Sequence, residues 1–343
     1  MAGFQDIIGH NKIVEHLKNA ISMDKVSHAY IFNGEDYAGK KMLAEAFAMA
    51  LQCEKGGDDA CMSCRSCRQA KEYNQPDIIY IGGEEEVEDK KTGTTRMEKP
   101  SSISVDEIRT LLNNDIAIKP YSSRYKIYIV DNAERMNIQA QNALLKTIEE
   151  PPSYGIILLL TTNADAFLPT ILSRCITLNL KSVEEDKIKE HLMKKYFVPD
   201  YQAEVCAAFA QGNVGKAIQL ASSDDFNEMK KEVISIVKKI EDIELYDITQ
   251  TIKQVTEYKK RIDQYLDMIV LWYRDVLYMK STNDVNKLIF KDEVYDIKKQ
   301  AAKKSYSEIE KILQAVDKAR TRLNANVNFD LVIEMLLLTI KEN

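Results

Sequence analysis

The sequence predicts an α/β fold with a mainly parallel sheet in its first half, followed by an all-helical second half. Short apolar runs alternate with helical patterns from Phe4 to about Leu180, which is typical of a parallel sheet. A glycine-containing loop joins the first apolar run to a helical pattern, and strand signals vanish after Leu180. The chain has 343 residues, enough for two or three domains of about 150 residues each.

Five apolar runs carry the predicted strands. Each run is short enough for a buried strand and is bounded by polar or turn-forming residues. Between the second and third runs, the polar segment Gly82–Pro100 predicts a surface loop or exposed hairpin without a chemical role. The predicted strands are Ala29–Asn33, Asp77–Ile81, Lys126–Val130, Ile156–Thr161 and Ile176–Leu180.

One helix between the strands has a clear start, apolar side and stop. The segment Asn137–Glu149 has helical apolar spacing and is followed by Pro151 and Pro152, which cannot continue a helix. Its predicted apolar side is formed by Ile138, Leu144, Leu145 and Ile148.

The second half contains only helical patterns. Three short helices are predicted at Val183–Phe197, Gln202–Gln211 and Val214–Ser222. Longer patterns follow at Phe226–Ile240, Asp247–Met279, Val285–Ala302 and Tyr306–Lys341. Within them, helical spacing predicts core positions at Leu266, Ile269, Trp272, Tyr273 and Val276. We therefore predict an α/β domain at residues 1–180, a small helical domain at 181–223 and a helical bundle at 224–343.

Composition limits the class of protein. The chain is 45% apolar and 29% charged, ordinary values for a globular protein, and no apolar run approaches the roughly 18 residues of a membrane span. The segment Met1–Asp6 has neither a basic part nor an apolar core, so we expect a cytoplasmic protein with no membrane partner. A net charge of −6 argues against broad electrostatic capture of nucleic acid.

The loop after the first strand resembles a phosphate-binding P-loop with an altered last residue. Gly34, Gly39 and Lys40 match the pattern, but Lys41 stands where a Ser or Thr hydroxyl normally ligates Mg²⁺. The start of the following helix directs amide groups towards this loop. The sequence therefore predicts a degenerate nucleotide site, in which ATP or ADP binding is weak or absent.

Four cysteines lie within a short insert, residues 53–67, that predicts a metal site. Cys53, Cys61, Cys64 and Cys67 provide four thiolates, the ligand set of a structural tetrahedral zinc site. An iron–sulfur cluster is the alternative, although the proline that follows the last cysteine of the bacterial pattern is missing. Without a histidine or carboxylate placed to leave an open position, we expect structural Zn²⁺.

Three further residues are candidates for a nucleotide site. Asp131 ends an apolar strand, the position of the Mg²⁺-binding aspartate in nucleotide-hydrolysing folds, and Asn132 follows it. Asn163 also ends a strand, where it would contact a phosphate or act as a cap. Arg174 follows a short helix that begins with proline, where it would act on phosphate or favour the helix dipole.

In combination these motifs resemble the clamp-loader AAA+ proteins. The resemblance rests on the run Ser27–Phe32, the four-cysteine insert, the run Asn142–Pro152 and Ser173-Arg174-Cys175, and covers residues 1 to about 222. It implies a RecA-like AAA+ module, a helical lid and an all-α collar that oligomerises. It also implies a pentamer with gamma/tau ATPase subunits and a delta subunit. Such a pentamer uses ATP to place a sliding clamp on primer–template DNA during replication.

The resemblance also gives roles to individual residues. In AAA+ proteins a neighbouring subunit completes each ATP site with an arginine, and the Ser-Arg-Cys motif makes Arg174 that arginine finger. Three departures concern this chain's own site: Lys41 replaces the hydroxyl, Asn132 replaces the catalytic glutamate, and Gly215 replaces the lid arginine. We therefore expect no independent hydrolysis and a catalytic contribution in trans.

Two other functions stay open on the sequence alone. An active gamma/tau-type ATPase would need Ser or Thr at position 41 and Glu at position 132. A zinc-containing adaptor that binds nucleic acid would use the AAA+ module as a scaffold, and the sequence pI of about 5.5 weighs against it.

Overall fold

A five-stranded parallel sheet organises the first half of the chain. The computed structural model describes residues 3–83, 85–88, 95–98, 102–241 and 244–343. The strands are β1 (Ala29–Asn33), β2 (Ile78–Ile81), β3 (Glu85–Glu88), β4 (Thr95–Glu98), β5 (Lys126–Val130), β6 (Gly155–Thr161) and β7 (Ile176–Asn179). The sheet order is β2-β5-β6-β1-β7, with every described pairing parallel. The predicted mainly parallel sheet is confirmed.

β3 and β4 form a separate antiparallel pair in which Glu85 is opposite Glu98. This agrees with the hairpin alternative for the polar segment after β2. The remaining residues of the predicted loop, at 84, 89–94 and 99–100, lie outside the described part of the chain.

Helices cover both faces of the sheet, because successive side chains of a strand point to opposite faces. On β1, Tyr30 and Phe32 belong to one buried core, whereas Ala29 and Ile31 belong to another. The first core includes most apolar residues of the helix Lys40–Leu51, and the second includes Leu144 of the helix Ile138–Glu149. The helices of this half are α1 (Asn11–Ser22), α2 (Lys40–Leu51), α3 (Arg65–Lys71), α4 (Val105–Glu107, continued as a π-helix at Ile108–Asn113), α5 (Ile138–Glu149) and α6 (Pro169–Leu172).

After β7, the regular secondary structure of the described residues is helical. Its helices are α7 (Glu185–Tyr196), α8 (Asp200–Ala210), α9 (Val214–Ala221), α10 (Asp224–Lys239), α11 (Leu245–Glu257), α12 (Ile262–Thr282), α13 (Val294–Lys303), α14 (Tyr306–Asn324) and α15 (Phe329–Glu342). Among the helices that the structure describes, none is long and apolar enough to cross a membrane.

The chain forms two compact units. One comprises Met1–Lys187 with Gly212–Lys216, and the other comprises Ile188–Gln211 with Ala217–Asn343. Within the second unit α12 packs against α10, α13 and α14. The finer division into domains at 181–223 and 224–343 stays a prediction.

Three long helical patterns proved to be shorter helices. The pattern over Asp247–Met279 is interrupted at Tyr258, whose ring packs against Tyr265 with centroids 5.7 Å apart. The pattern over Tyr306–Lys341 is interrupted near Asn326, which adopts the left-handed region at φ 57°, a conformation that asparagine tolerates. Apolar periodicity continues across both turns, so it could not reveal them.

The third difference has a specific cause. The helix expected at Val285–Ala302 begins only at Val294, because the backbone amides of Ile289 and Phe290 donate to Asp275 instead of forming helical bonds. A smaller error concerns Ile138, expected on the apolar side of α5 but 66% exposed at its first turn.

Asp275 is a buried polar anchor of the second unit. It is fully buried on α12 and accepts hydrogen bonds from the amides of Ile289 at 2.7 Å and Phe290 at 2.8 Å. Arg274 Nη1 lies 3.0 Å from its other oxygen. Burial raises the pKa of Asp275, and these donors oppose the rise. On the same helix Trp272 is fully buried and donates to Gln300 at 2.9 Å, so the predicted core positions of α12 are confirmed.

Asp275→Ala should destabilise the second unit strongly. The substitution leaves two buried amide groups without their acceptor, which costs about 2–5 kcal/mol of unfolding free energy. Trp272 is the only tryptophan in the sequence, so its fluorescence during urea unfolding reports on this unit. Asp263→Ala, at an exposed position in the first turn of α12, should cost less than about 1 kcal/mol; equal losses would contradict the assignment.

Candidate functional site

The P-loop segment connects β1 to α2, as the sequence predicts. Gly39 precedes α2 with φ 96°, a left-handed conformation that side chains rarely adopt. The Lys40 ammonium is folded back onto the loop, where it donates to the carbonyls of Gly34 and Glu35, each at 2.7 Å. The lysine that normally contacts a phosphate therefore binds the loop itself.

The next part of the loop is bound by the segment that leads into α9. The side-chain amide of Asn213 donates to the carbonyl of Asp36 at 2.7 Å. The backbone amide of Gly215 donates to the carbonyl of Tyr37 at 3.1 Å. Asn213 also caps α9 by accepting from the amide of Lys216 at 3.1 Å. One short segment thus fixes both the helix start and the loop.

His10 holds the last of these carbonyls. Its Nε2 lies 3.2 Å from the carbonyl of Ala38, and burial lowers the pKa of the imidazole. The neutral ring can donate to this carbonyl in one tautomer. Each carbonyl from Gly34 to Ala38 therefore accepts a hydrogen bond from the chain itself.

Gly215 leaves no room for the lid arginine that the resemblance places there. A Cβ atom built on Gly215 would lie 2.6 Å from the carbonyl oxygen of Tyr37. Any side chain at this position would force the loop to move and would weaken the hydrogen bond between the two residues. The glycine at position 215 is therefore what allows the backbone to approach and bind the loop at Tyr37.

Lys41 forms an ion pair at the position where a P-loop protein places Mg²⁺. Its Nζ lies 3.5 Å from Oδ2 of Asp131, at the end of β5. Glu45 lies one turn further along α2, where burial raises its pKa and the charge of Lys41 opposes that rise. An ammonium group has no lone pair and repels a cation. The residues present therefore do not fit Mg²⁺, and no step of ATP hydrolysis is assigned to this site.

Asn132 completes the altered site. It adopts the left-handed conformation at φ 50° and is 6% exposed. Its side-chain amide donates to the carbonyl of Gly82 at 3.2 Å. An amide cannot take a proton from water as a carboxylate can, and this one is already bonded to the backbone.

Two polar residues that sequence reasoning missed lie in the same cavity. Glu134 accepts a hydrogen bond from the hydroxyl of Thr162 at 3.0 Å. Both follow strands, at the edge of the sheet where the predicted residues also gather. Glu134 could have been identified from the sequence, because it follows shortly after Asp131. Its contact with Thr162 could not, because Thr162 follows a different strand.

The cavity has a volume of about 510 Å³ and contains part of the predicted set. Gly39, Lys40 and Asp131 line it, whereas Gly34 and Asn163 are absent from the described lining. Asn163 instead caps the short 3₁₀ turn Ala164–Ala166, accepting from the amide of Asp165 at 3.0 Å. The capping alternative accounts for its position, and phosphate contact by Asn163 stays a prediction.

Arg174 lies outside the described lining of this cavity, just after α6. Its side chain is 40% exposed, and Nη2 lies 3.0 Å from Oε1 of Glu149 at the end of α5. Nη1 donates to the carbonyl of Thr170 at 3.1 Å and to the hydroxyl of Ser173 at 3.3 Å. The guanidinium is thus oriented by three groups while staying accessible.

The four cysteines of the insert come together as predicted. The sulfur atoms of Cys53, Cys61, Cys64 and Cys67 all lie within 4.8 Å of one another. Zinc–sulfur bonds of about 2.3 Å in a tetrahedron place sulfur atoms about 3.8 Å apart, and Cys61 Sγ lies 4.0 Å from Cys67 Sγ. The cluster is compatible with a zinc site.

Hydrogen bonds favour the thiolate form of Cys61, whereas burial raises the pKa of the Cys67 thiol. The amides of Cys64 and Cys67 donate to the sulfurs of Cys61 and Cys64 respectively, both at 3.3 Å. The backbone and hydroxyl of Ser63 lower the pKa of Cys61 to about 5. A thiolate at neutral pH needs a compensating charge, which Zn²⁺ would provide.

One zinc ion per chain is expected in the purified protein by elemental analysis. Cys64→Ser should abolish it, because a structural site needs four ligands. Cys175→Ser is the matched control, since Cys175 lies outside the cluster, and should retain the ion. Iron in place of zinc, or full occupancy in the Cys64 variant, would contradict the assignment.

Lys41→Thr should create affinity for a divalent cation, because a hydroxyl beside Asp131 restores two oxygen ligands. Mn²⁺ titrated in the presence of ADP and followed by electron paramagnetic resonance measures this directly. The unaltered chain and the surface control Lys25→Thr should bind no Mn²⁺ together with nucleotide. Stoichiometric Mn²⁺ and ADP binding by the unaltered chain would show that Lys41 does not block the site.

Comparison with known proteins gives a consistent family. The profile described as "DNA polymerase III, delta subunit" matches residues 9–184, and the profile described as "DNA polymerase III, delta subunit, C terminal" matches residues 242–342. The DNA polymerase III subunit delta' of Bacillus subtilis is 29% identical, over 96% of this chain and 96% of its own length. These matches confirm the resemblance to clamp-loader proteins.

Two further similarities concern related subunits. The DNA polymerase III subunit tau of Bacillus subtilis is 27% identical over 85% of this chain, which spans 53% of that longer protein. A DNA polymerase III gamma subunit-related protein from Thermotoga maritima has a solved structure that is 21% identical. It covers 96% of this chain and 98% of its own, with a TM-score of 0.41. Since the first family profile alone covers more than half of the 343 residues, the chain belongs to the DNA polymerase III delta subunit family.

Proposed function

We propose that this chain is a non-hydrolysing, delta-prime-type subunit of a clamp loader. In this role it supplies Arg174 to the ATP site of a neighbouring gamma/tau-type subunit. The complex would contain a delta subunit as well and would load a sliding clamp onto primed DNA during replication. Residues 224–343 would form the collar through which the subunits assemble, and residues 181–223 would form the lid.

The observation that carries this proposal is the ion pair between Lys41 and Asp131. It places an ammonium group where hydrolysis requires Mg²⁺. The lid position Gly215 has no space for an arginine beside the Tyr37 carbonyl, and Asn132 replaces a proton-accepting group. These features support a subunit that keeps the fold of an ATPase without its reaction.

The position of Arg174 supports the proposed contribution to the ATP site of a neighbouring subunit. A guanidinium is permanently charged, planar and able to bind two phosphate oxygens at once. In this chain it is accessible and does not serve the chain's own cavity. An arginine at the surface that is oriented by three neighbouring groups suits a ligand held by another subunit.

The two alternative functions have less support. A gamma/tau-type ATPase needs an oxygen ligand at position 41, and the ammonium there is already paired with Asp131. An adaptor that captures nucleic acid would need a basic surface, whereas the chain carries a net charge of −6. DNA contact through the assembled complex does not require such a surface on this subunit.

Arg174→Ala should leave assembly of the complex intact and reduce turnover at the ATP site that this chain serves by about 10³ or more. The measurement is steady-state ATP hydrolysis by the reconstituted loader, stimulated by clamp and primed DNA, with assembly checked by gel filtration. Arg174→Lys should also be slow, because an ammonium lacks the planar fork.

Arg109→Ala is the matched control for this experiment. Arg109 is another exposed arginine of the same unit, paired only loosely with Asp106 at 3.8 Å. Its loss should change turnover little. Normal hydrolysis in the Arg174→Ala complex would exclude the proposed role in trans.

A further inference from the structure

Arg174 is held at its charged end by a residue to which no role has been given. Glu149 is the last residue of α5, and its Oε1 lies 3.0 Å from Nη2 of Arg174. The other two partners of the guanidinium, Thr170 and Ser173, are neutral and belong to the same short segment as Arg174. Glu149 is therefore the charged contact among these three, and the one supplied from another element.

α5 also holds the segment that leads into α6. Gln141, 3% exposed on α5, donates to the carbonyl of Ala166 at 3.1 Å and accepts from the amide of Leu168 at 2.9 Å. Leu168 is the residue immediately before α6. Gln141 thus fixes the start of α6, and Glu149, about two turns further along α5, holds the arginine that follows its end.

The position of Glu149 is not explained by helix stability. A negative charge at the C-terminal end of a helix is repelled by the helix dipole, and a second carboxylate, Glu150, follows directly. Glu149 and Arg174 have side chains that are 46% and 40% exposed, and ion pairs at such exposure contribute little to folding. The contact is better explained by the orientation that it gives to the guanidinium.

We propose that Glu149 is a positioning residue that fixes the plane and direction of the Arg174 guanidinium for contact with a neighbouring subunit's nucleotide. This inference rests on the proposed function of Arg174. A guanidinium has five N–H donors, so three contacts within the chain leave donors for phosphate oxygens. Without the carboxylate, the long side chain would sample many rotamers, and an orientation productive for catalysis would be less populated.

The test is ATP hydrolysis by the reconstituted loader carrying Glu149→Gln. The complex should assemble normally, with turnover number lowered about tenfold, the order of magnitude of one charge-assisted hydrogen bond. The KM for ATP should change little, because Arg174 would act mainly in the transition state. Glu150→Gln removes the adjacent charge and is the matched control, for which turnover should stay within about twofold.

A double-mutant cycle separates positioning from a general structural effect. If Glu149 acts through Arg174, Glu149→Gln should have no further effect in an Arg174→Ala complex. The inference would be overturned if Glu149→Gln lowered turnover by the same factor with and without Arg174→Ala. It would also be overturned if Glu149→Gln alone left turnover unchanged. Full activity of Arg174→Ala alone would instead overturn the proposed function, so the two failures are distinguishable.

Discussion

The ion pair between Lys41 and Asp131 determines what the central cavity can do. Parallel strands bring the ends of β1 and β5 to the same edge of the sheet, and α2 starts there because Gly39 permits the turn. In an ATPase this edge gathers a hydroxyl and a carboxylate around Mg²⁺. Here an ammonium lies 3.5 Å from the carboxylate. The same fold therefore neutralises its aspartate with a side chain instead of a metal ion.

The loop beside this pair is held by contacts from the chain itself. Lys40, His10, Asn213 and the amide of Gly215 together bond every carbonyl from Gly34 to Ala38. The N–H groups of such a loop, which donate to phosphate oxygens when nucleotide binds, are a separate set. The contacts to the carbonyls therefore restrain the loop without replacing a phosphate.

The sequence predicted the sheet well and the connections between elements poorly. Ala29–Asn33 and Lys126–Val130 have the predicted bounds, because a buried parallel strand is a continuous apolar run between polar ends. The turn after Glu257 was missed, since apolar periodicity continues through it. The contact of Glu149 with Arg174 was also missed. It joins residues that are distant in the sequence, and Arg174 had an adequate local explanation beside a helix end.

The central claim is that this chain's own cavity is inert and that its contribution is made at a neighbour's site. ATP hydrolysis by the purified chain in Mg²⁺, compared with a mixture of the chain and one ATPase neighbour, tests it most directly. The account predicts no turnover by the chain alone and turnover in the mixture that exceeds that of the neighbour alone. Turnover by the isolated chain that disappears in Lys40→Ala would contradict it.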